Sequence, residues 1–575
     1  MGTVSATGQY DVEGEIAVIT LNSPPVNALS ASVRGAIVDG LRRAQGDPAV
    51  AAVVLVCAGK TFIAGADIAE LGKPPRPPSF EDMAEALENG SKPVIAAIHG
   101  TALGGGLETA LLCHYRVADP SAKLGLPEVH LGLLPGGGGT QRLPRIVGVE
   151  AALELIVTGR QIGAGEAHRL GVIDAVTTAG ELWAGAISFA RQIVAENRKL
   201  TRIRDRDDML APTRGNPGIF EKFREKNQKL FRGVIAPGHI LEAVQCAVNL
   251  PFDEGIARER ALITALITGR QSAALRYMFF AEREAAKVKN APEDISSPAI
   301  ASVAILGTGP AAEAAARLFA KTGLADAHPD ECPDMAAAPD LILLVASGAE
   351  GFDKLAAKAG PHTIFAAITV AALHQLACVT GKPSHIVGLK FSGRLLEVCR
   401  TNETAATTIA AAMQLGRKTG KIAVLCSENF ITDRLAAVQS STVERLASEG
   451  VTAAEIGAAR YDYGFSEDAD RPDPTITEDR KQNICEALLF PLINEGAAML
   501  ADGTAQRASD IDTVAVSTLT WPGYTGGPMF WAETLGLPHV VATLRARFGE
   551  IFTPHALLVR LAETGKDFRS EAASG

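Results

Sequence analysis

Cysteine is sparse in this chain. Eight residues in 575 (positions 57, 113, 246, 332, 378, 399, 426 and 485) lie scattered through apolar segments, without a Cys-x-x-Cys pair. That pattern excludes a disulfide-stapled scaffold and fits buried, reduced thiols. The 11 histidines show no metal-ligand spacing either, so no metal site is expected. Basic blocks are missing and the net charge is −10, which removes the electrostatic footprint of a nucleic-acid binder. No uninterrupted apolar run approaches the roughly 20 residues that span a bilayer. The longest, 49–58, reads as a buried strand. The opening MGTVSATGQY has no basic segment leading into an apolar one, so no secretory signal is expected. Aromatics are only 5%, yet hydrophobic residues reach 47% against 21% charged, too apolar a balance for disorder. The length allows three or four folding units with cores of their own, and an enzyme is the leading class.

Residues 1–180 alternate β-like runs (15–21, 50–58, 93–99) with helical stretches at 30–45 and 80–90, the rhythm of α/β units. From about Glu181 to Asn290 strand signals vanish, and 240–248 and 255–289 show helical periodicity. The Pro/Asp/Ser-rich NAPEDISSPA (290–299) reads as a joint, after which an apolar strand at 300–306 opens a second α/β pattern. From about Glu428 the chain reads as mostly helical, broken by the polar SEDADRPDPTITEDR (466–480).

The densest chemistry lies in 99–148. A strand ends at His99, a glycine cluster follows (Gly104, Gly105, Gly106), and a helix is expected to begin near Leu107. Glycines let backbone N–H groups approach a ligand, and a helix N-terminus adds positive partial charge. Such a site suits a thioester carbonyl that develops negative charge. Upstream, TFIAGADIAEL (61–71) ends another strand in a small-residue turn able to supply a second N–H. Glu108 and Glu128 are too far apart in sequence to share a helical face, so only the fold could pair them. Two carboxyl groups around one water could add or remove its elements across a double bond. On spacing alone, a helix-capping Glu108 and a turn-exposed Glu128 account for the same residues at least as well.

The segments SPPVNALS (23–30), FIAGADIAEL (62–71), HGTALGGGLETAL (99–111) and GLPEVHLGLLPGGGGTQRLPRIVG (125–148) resemble the crotonase (enoyl-CoA hydratase/isomerase) superfamily. The likeness is greatest to the hydratase half of multifunctional β-oxidation enzymes. It runs through most of 10–290, including LPFDEGIARER (250–260) and RYMFFAERE (276–284). It implies that Glu108 and Glu128 form the hydratase acid/base pair and that the amides of Ala66 and Gly105 form the oxyanion hole. It also implies that Ala28, Leu29, Ala64, Asp67 and Ile68 line the coenzyme A groove. Isomerases of the superfamily generally lack the first glutamate. The resemblance therefore implies syn hydration of a trans-2-enoyl-CoA to a (3S)-hydroxyacyl-CoA, with isomerisation as a side activity.

The strand at 300–306 runs into G-T-G-P-A-A (307–312), a variant of the dinucleotide fingerprint that offers Gly307, Gly309 and Ala312 to a cofactor. A ribose-binding acid should follow on a second strand, but 322–334 offers Asp326 with hardly any apolar strand around it. Residues 300–572 resemble the 3-hydroxyacyl-CoA dehydrogenase half of the same enzymes, most closely at 391–426 and 491–536. The departures are informative. Lys390 occupies the position of the family's catalytic His, and the partner Glu is absent from LILLVASGAEG (341–351). The Asn-Thr-Ser segment becomes AAITVAA (366–372), and Asp433 replaces an Asn. The chain is also short of its multifunctional relatives, almost wholly after residue 310. A dehydrogenase needs a base for the hydroxyl proton, so this half is expected to be degenerate; the hydratase reaction requires no cofactor, and NAD binding by the second half is left open.

The expected architecture is α/β. It comprises a crotonase ββα-spiral core (1–190), its helical completion and linker (191–296), a degenerate Rossmann-like NAD domain (297–427), and shortened C-terminal helical dehydrogenase-type domains (428–575). The expected ligand is an acyl-CoA thioester, with no nucleic-acid partner and no membrane span. A monomer is favoured by analogy with multifunctional relatives. The ending EAASG is not a Ser-Lys-Leu-type tag, and a cytoplasmic setting is expected. Three competing readings stand beside the hydratase. One is a bifunctional enzyme in which Lys390, His385 or His374 replaces the missing base. The others are an isomerase or hydrolase acting on an unusual acyl-CoA, and a CoA-ester binding or assembly subunit.

Overall fold

In the computed structural model the described residues are 2–70, 72–74, 76–216, 218–289, 297–327, 338–345, 356–357, 359–465, 471–548 and 552–572. Parts of the expected joint (290–296), the ribose-acid segment (328–334), the region of the missing glutamate (346–351) and the polar loop (466–470) lie outside them. The chain forms two compact units, Met1–Ala273 and Ala274–Gly575.

The first unit is built on a seven-stranded sheet. Its order is Gly2–Ser5, Gly8–Glu13, Ile16–Leu21, Ala52–Cys57, Val94–Ile98, Tyr115–Ala118, Ala175–Val176. The first two pairings are antiparallel and the rest are parallel. Both faces are covered, which is why the central strands read as continuous apolar runs. Ala17, Ile19, Leu21, Val53 and Leu55 enter one core with the helix Ala31–Gly46. Ile16, Val18, Ala52 and Val54 meet the helix Leu182–Ala195 on the other face. The strand-poor stretch is helical as expected, but the single run expected at 255–289 is two helices, Phe252–Ile267 and Arg270–Ala285, parted at Thr268–Gly269. Ile240 of the preceding helix Ala236–Asn249, and Leu262 and Leu266 of Phe252–Ile267, belong to the core of the first unit.

The second unit carries another seven-stranded sheet, ordered Ala325–Ala327, Ser302–Leu306, Leu341–Leu344, Ile364–Ala367, Ile386–Ser392, Leu395–Arg400, Ile422–Ser427. All pairings are parallel except the hairpin Ile386–Ser392/Leu395–Arg400. The strand Ala325–Ala327 is only three residues long, in keeping with the little apolar strand expected there. Its three residues pair with Ser302–Ala304, and backbone pairing with an established neighbour compensates for weak apolar character. Beyond this sheet the described residues are mainly helical, the last helix being Phe568–Ala572. One helix, Glu478–Ala501, is long and apolar enough by composition to cross a membrane, which the sequence reading did not anticipate. Two thirds of its apolar window is nevertheless buried within the protein, with Ile484, Leu488, Phe490, Leu492 and Ile493 in the core.

Candidate active site

The parallel strands of the first unit deliver three loops to one place. The strand Val94–Ile98 turns through His99–Gly100 into the short strand Thr101–Leu103 and then the helix Gly105–Leu112. The neighbouring loop is stitched to it, since Phe62 N–H donates to the His99 carbonyl (2.8 Å) and Leu103 N–H to that of Ile63 (3.1 Å). The helix starts two residues earlier than its composition indicated. Gly106 sits where a Cβ would lie 1.9 Å from the Ile63 carbonyl oxygen, so this backbone approach is open only to glycine.

Leu29 and Ala66 form a parallel bridge, with Leu29 N–H donating to the Gly65 carbonyl (2.9 Å) and Ala64 N–H to that of Val26 (3.2 Å). A Cβ on Gly105 would come 3.3 Å from the Ala66 nitrogen, so the two amides lie close together. Neither N–H donates to a partner among the described residues. Around them Ala66 is exposed, and Ala28, Ala64, Asp67 and Ile68 are partly exposed. Leu29 is buried, and Asp67 Oδ1 accepts from Ala69 N–H (3.0 Å), at the start of the turn Ile68–Glu70.

Glu108, in the first turn of its helix, is 4% exposed. Its Oε1 accepts from the N–H groups of Gly137 (2.7 Å) and Gly139 (2.9 Å). Burial pushes its carboxyl above the usual range, opposed by those two amides and by Arg142. Glu128 opens the short helix Glu128–Leu131 and reaches over the start of the Glu108 helix. A Cβ on Gly104 would lie 2.9 Å from its Oε1. As a residue Glu128 is only partly buried, but its Oε2 is enclosed and has no hydrogen-bond partner among the described residues. Burial, and then the charge of Glu108, raise its carboxyl well above the ordinary value. Two buried carboxyls that feel each other's charge resist ionising together. The Gly137 and Gly139 donors oppose the upward shift of Glu108, whereas the Glu108 charge adds to that of Glu128, so the pair is biased toward an anion on Glu108 and a proton on Glu128. The site thus brings together two buried carboxyl groups in unlike donor environments and two unengaged amides, a set able to activate a water, deliver a proton and hold a developing oxyanion.

A third carboxyl completes the arrangement. Glu259, on the helix Phe252–Ile267, is 1% exposed and lies on the other side of the glycine loop. It accepts from Gly138 N–H (2.8 Å), from Thr140 N–H (3.2 Å) and from the Thr140 hydroxyl. Burial and the charge of Glu108 push it up to about 8, against the Thr140 and Gly138 donors and Arg142. Its segment (250–260) carries family-like residues, but motif spacing alone does not single out Glu259. The signal was there: Gly255, Glu259, Leu262 and Leu266 form the buried stripe of that helix, and an acid in such a stripe is unusual.

In the second unit the glycine turn is well formed. Gly307 and Gly309 have φ of 117° and 98°, and Gly309 leads into the helix Pro310–Lys321, where Ala312 is buried. Pro310 removes one of the N–H donors that such a helix start offers an anion. Lys390 lies opposite Glu397 in the hairpin, is ion-paired with Asp433, and sits over the Phe430 ring (4.7 Å). Glu397 is fully buried and accepts from Thr432 N–H (3.2 Å) and from the Thr432 hydroxyl. Burial raises its carboxyl, opposed by the Thr432 donors and by Lys390. Asp326 lies on the edge strand, in register with Val303.

Residues 11–245 match the family model described as enoyl-CoA hydratase/isomerase, and 348–429 match that of the 3-hydroxyacyl-CoA dehydrogenase NAD-binding domain. The second match does not reach the glycine turn at 307–312. The chain is 32% identical to a peroxisomal bifunctional enzyme of Danio rerio, over 93% of this chain and 93% of that protein. It is 29% identical to the human peroxisomal bifunctional enzyme over 97% and 98% of the two chains. It is 28% identical to a fatty acid oxidation complex subunit alpha of Shewanella loihica, again over 97% and 98%.

Proposed function

The chain belongs to the bifunctional family that fuses an enoyl-CoA hydratase/isomerase domain to a 3-hydroxyacyl-CoA dehydrogenase domain, and from that premise we propose that it hydrates trans-2-enoyl-CoA esters in β-oxidation through Glu108 and Glu128. The observation that carries this reading is the divided environment of the two carboxyls. Glu108 takes two amide donors, while the enclosed Glu128 Oε2 takes none. In the proposed reaction Glu108 draws the proton from a water as its oxygen adds to carbon 3, and Glu128 gives its proton to carbon 2. The thioester oxygen, carrying the transient negative charge, rests on the N–H groups of Ala66 and Gly105. The product is the 3-hydroxyacyl-CoA, of 3S configuration by family resemblance. Ala28, Leu29, Ala64, Asp67 and Ile68 are proposed to border the coenzyme A groove. An assembly or binding role alone would have no use for two buried carboxyls set in such different donor environments. Replacing either glutamate by Ala should lower crotonyl-CoA hydration by ~10²-fold or more. Rates near wild type in either variant would remove the assignment.

We infer further that the dehydrogenase half lacks the usual chemistry. Gly307, Gly309 and the N–H groups of Ala311 and Ala312 would hold the pyrophosphate of a dinucleotide, whose nicotinamide supplies the hydride acceptor. The protein's own part would be to take the hydroxyl proton. At the expected position Lys390 is engaged by Asp433 and lies over the Phe430 ring, so its side chain is already committed to other partners and is not presented to a substrate hydroxyl in the way the family's catalytic His is expected to be.

A further inference from the structure

The loop Gly137–Thr140 is gripped from two sides in strict alternation. Gly137 and Gly139 donate to Glu108, whereas Gly138 and Thr140 donate to Glu259. Four consecutive amides are thereby shared between carboxyl groups on two different helices. The loop has almost no side-chain bulk with which to pack itself. A Cβ on Gly137 would meet the Phe80 ring at 2.5 Å and Glu108 Oε2 at 2.8 Å, and one on Gly139 would meet Glu108 Oε1 at 2.9 Å. Glycine is thus required there for the close approach to Glu108, and rigidity must come from the other side. Glu259 supplies it through three donors to one buried carboxyl group. The Thr140 hydroxyl is tied in turn to Gln141, whose Nε2 donates to it (3.0 Å) and to the Ala243 carbonyl (2.8 Å) on the adjoining helix Ala236–Asn249.

We propose that Glu259 is a positioning residue for hydration: it clamps the far side of the glycine loop and thereby fixes the two amides that orient Glu108. The proposal rests on the hydratase reading of Glu108. A base displaced by an ångström can cost up to about a hundredfold in rate while leaving the coenzyme A contacts unaffected. Glu259 therefore acts on kcat rather than KM.

The test combines crotonyl-CoA hydration kinetics with amide hydrogen exchange of the full-length chain, both on wild type, Glu259→Ala, Glu259→Gln and Thr140→Val. Glu259→Ala should lower kcat by about tenfold to a hundredfold with KM within about threefold, and speed exchange at Gly137–Thr140 by about tenfold or more. Glu259→Gln keeps the volume and an acceptor for Gly138, and should recover most of both losses. Thr140→Val removes one of the three donors and should show a smaller effect in the same direction. If Glu259→Ala does not fold, the Gln and Val variants carry the comparison. Unchanged kcat and exchange in Glu259→Ala would overturn the clamp. So would a change confined to KM, or Glu259→Gln being as impaired as Glu259→Ala. A wild-type protein inert toward crotonyl-CoA would defeat the hydratase reading instead, and the exchange data would then decide the clamp alone.

Discussion

Glu108 and Glu128 are the same residue type in the same site, and what separates them is which donors reach them. Burial raises both, but two amides stabilise the anion of Glu108, while Glu128 Oε2 faces no donor and feels the charge of its neighbour. The proposed reaction needs Glu108 ionised and Glu128 protonated. Hydration measured as kcat/KM should therefore be bell-shaped in pH, failing in acid as Glu108 gains its proton and in alkali as Glu128 loses its own. A rate that kept rising with pH would contradict these roles. Gly106→Ala is a second residue-scale test. With the Ile63 carbonyl oxygen 1.9 Å from the added carbon, the substitution should cost about 2 kcal/mol or more in thermal unfolding, together with most of the hydration rate. Both glutamates and the glycine cluster are visible in the sequence as residue types. Their protonation states are not, because desolvation and donor count arise only when distant segments close around them.

At the scale of elements, the short helix Gly139–Arg142 is held by the helix Phe80–Glu88 through one buried ion pair. Arg142 Nε and Nη2 donate to the two Glu88 oxygens at 2.9 and 2.8 Å, and both side chains are 4% exposed. Removing one partner strands a buried charge. Glu88→Gln should cost about 3–5 kcal/mol in denaturant unfolding, and a Glu88→Leu/Arg142→Met double variant should recover much of that. A loss below about 1 kcal/mol in Glu88→Gln would show that the pair is not load-sharing. Strands such as Ile16–Leu21 and Ala52–Cys57 were readable because full burial on both faces writes an unbroken apolar run. The start of the Glu108 helix and the short edge strand Ala325–Ala327 are weakly marked in the sequence for one reason. Their residues have weak propensity, and packing or pairing with a neighbour decided the conformation.

At the scale of the whole molecule, the chain joins an enoyl-CoA hydratase/isomerase domain to a 3-hydroxyacyl-CoA dehydrogenase NAD-binding domain, and the second is proposed to lack the usual base. The alignment to the Danio rerio relative spans 677 positions against the 575 residues here, so segments of that relative have no counterpart in this chain. Given crotonyl-CoA and NAD⁺ together, the protein should consume the enoyl double bond while forming NADH at under about a hundredth of that rate. Comparable rates would show that the second half works by another base. The sequence by itself determined the family resemblance, the α/β–helix–α/β–helix order and the identity of the two glutamates, since these depend on local pattern and contiguous motifs. The tertiary structure alone decided that Glu259 joins them and that alternate amides of one glycine loop bind Glu108 and Glu259. It likewise decided that Lys390 pairs with Asp433. Each of these joins residues from dozens to more than a hundred positions apart, and the desolvation that gives the buried carboxyls their chemistry exists only once the chain has closed.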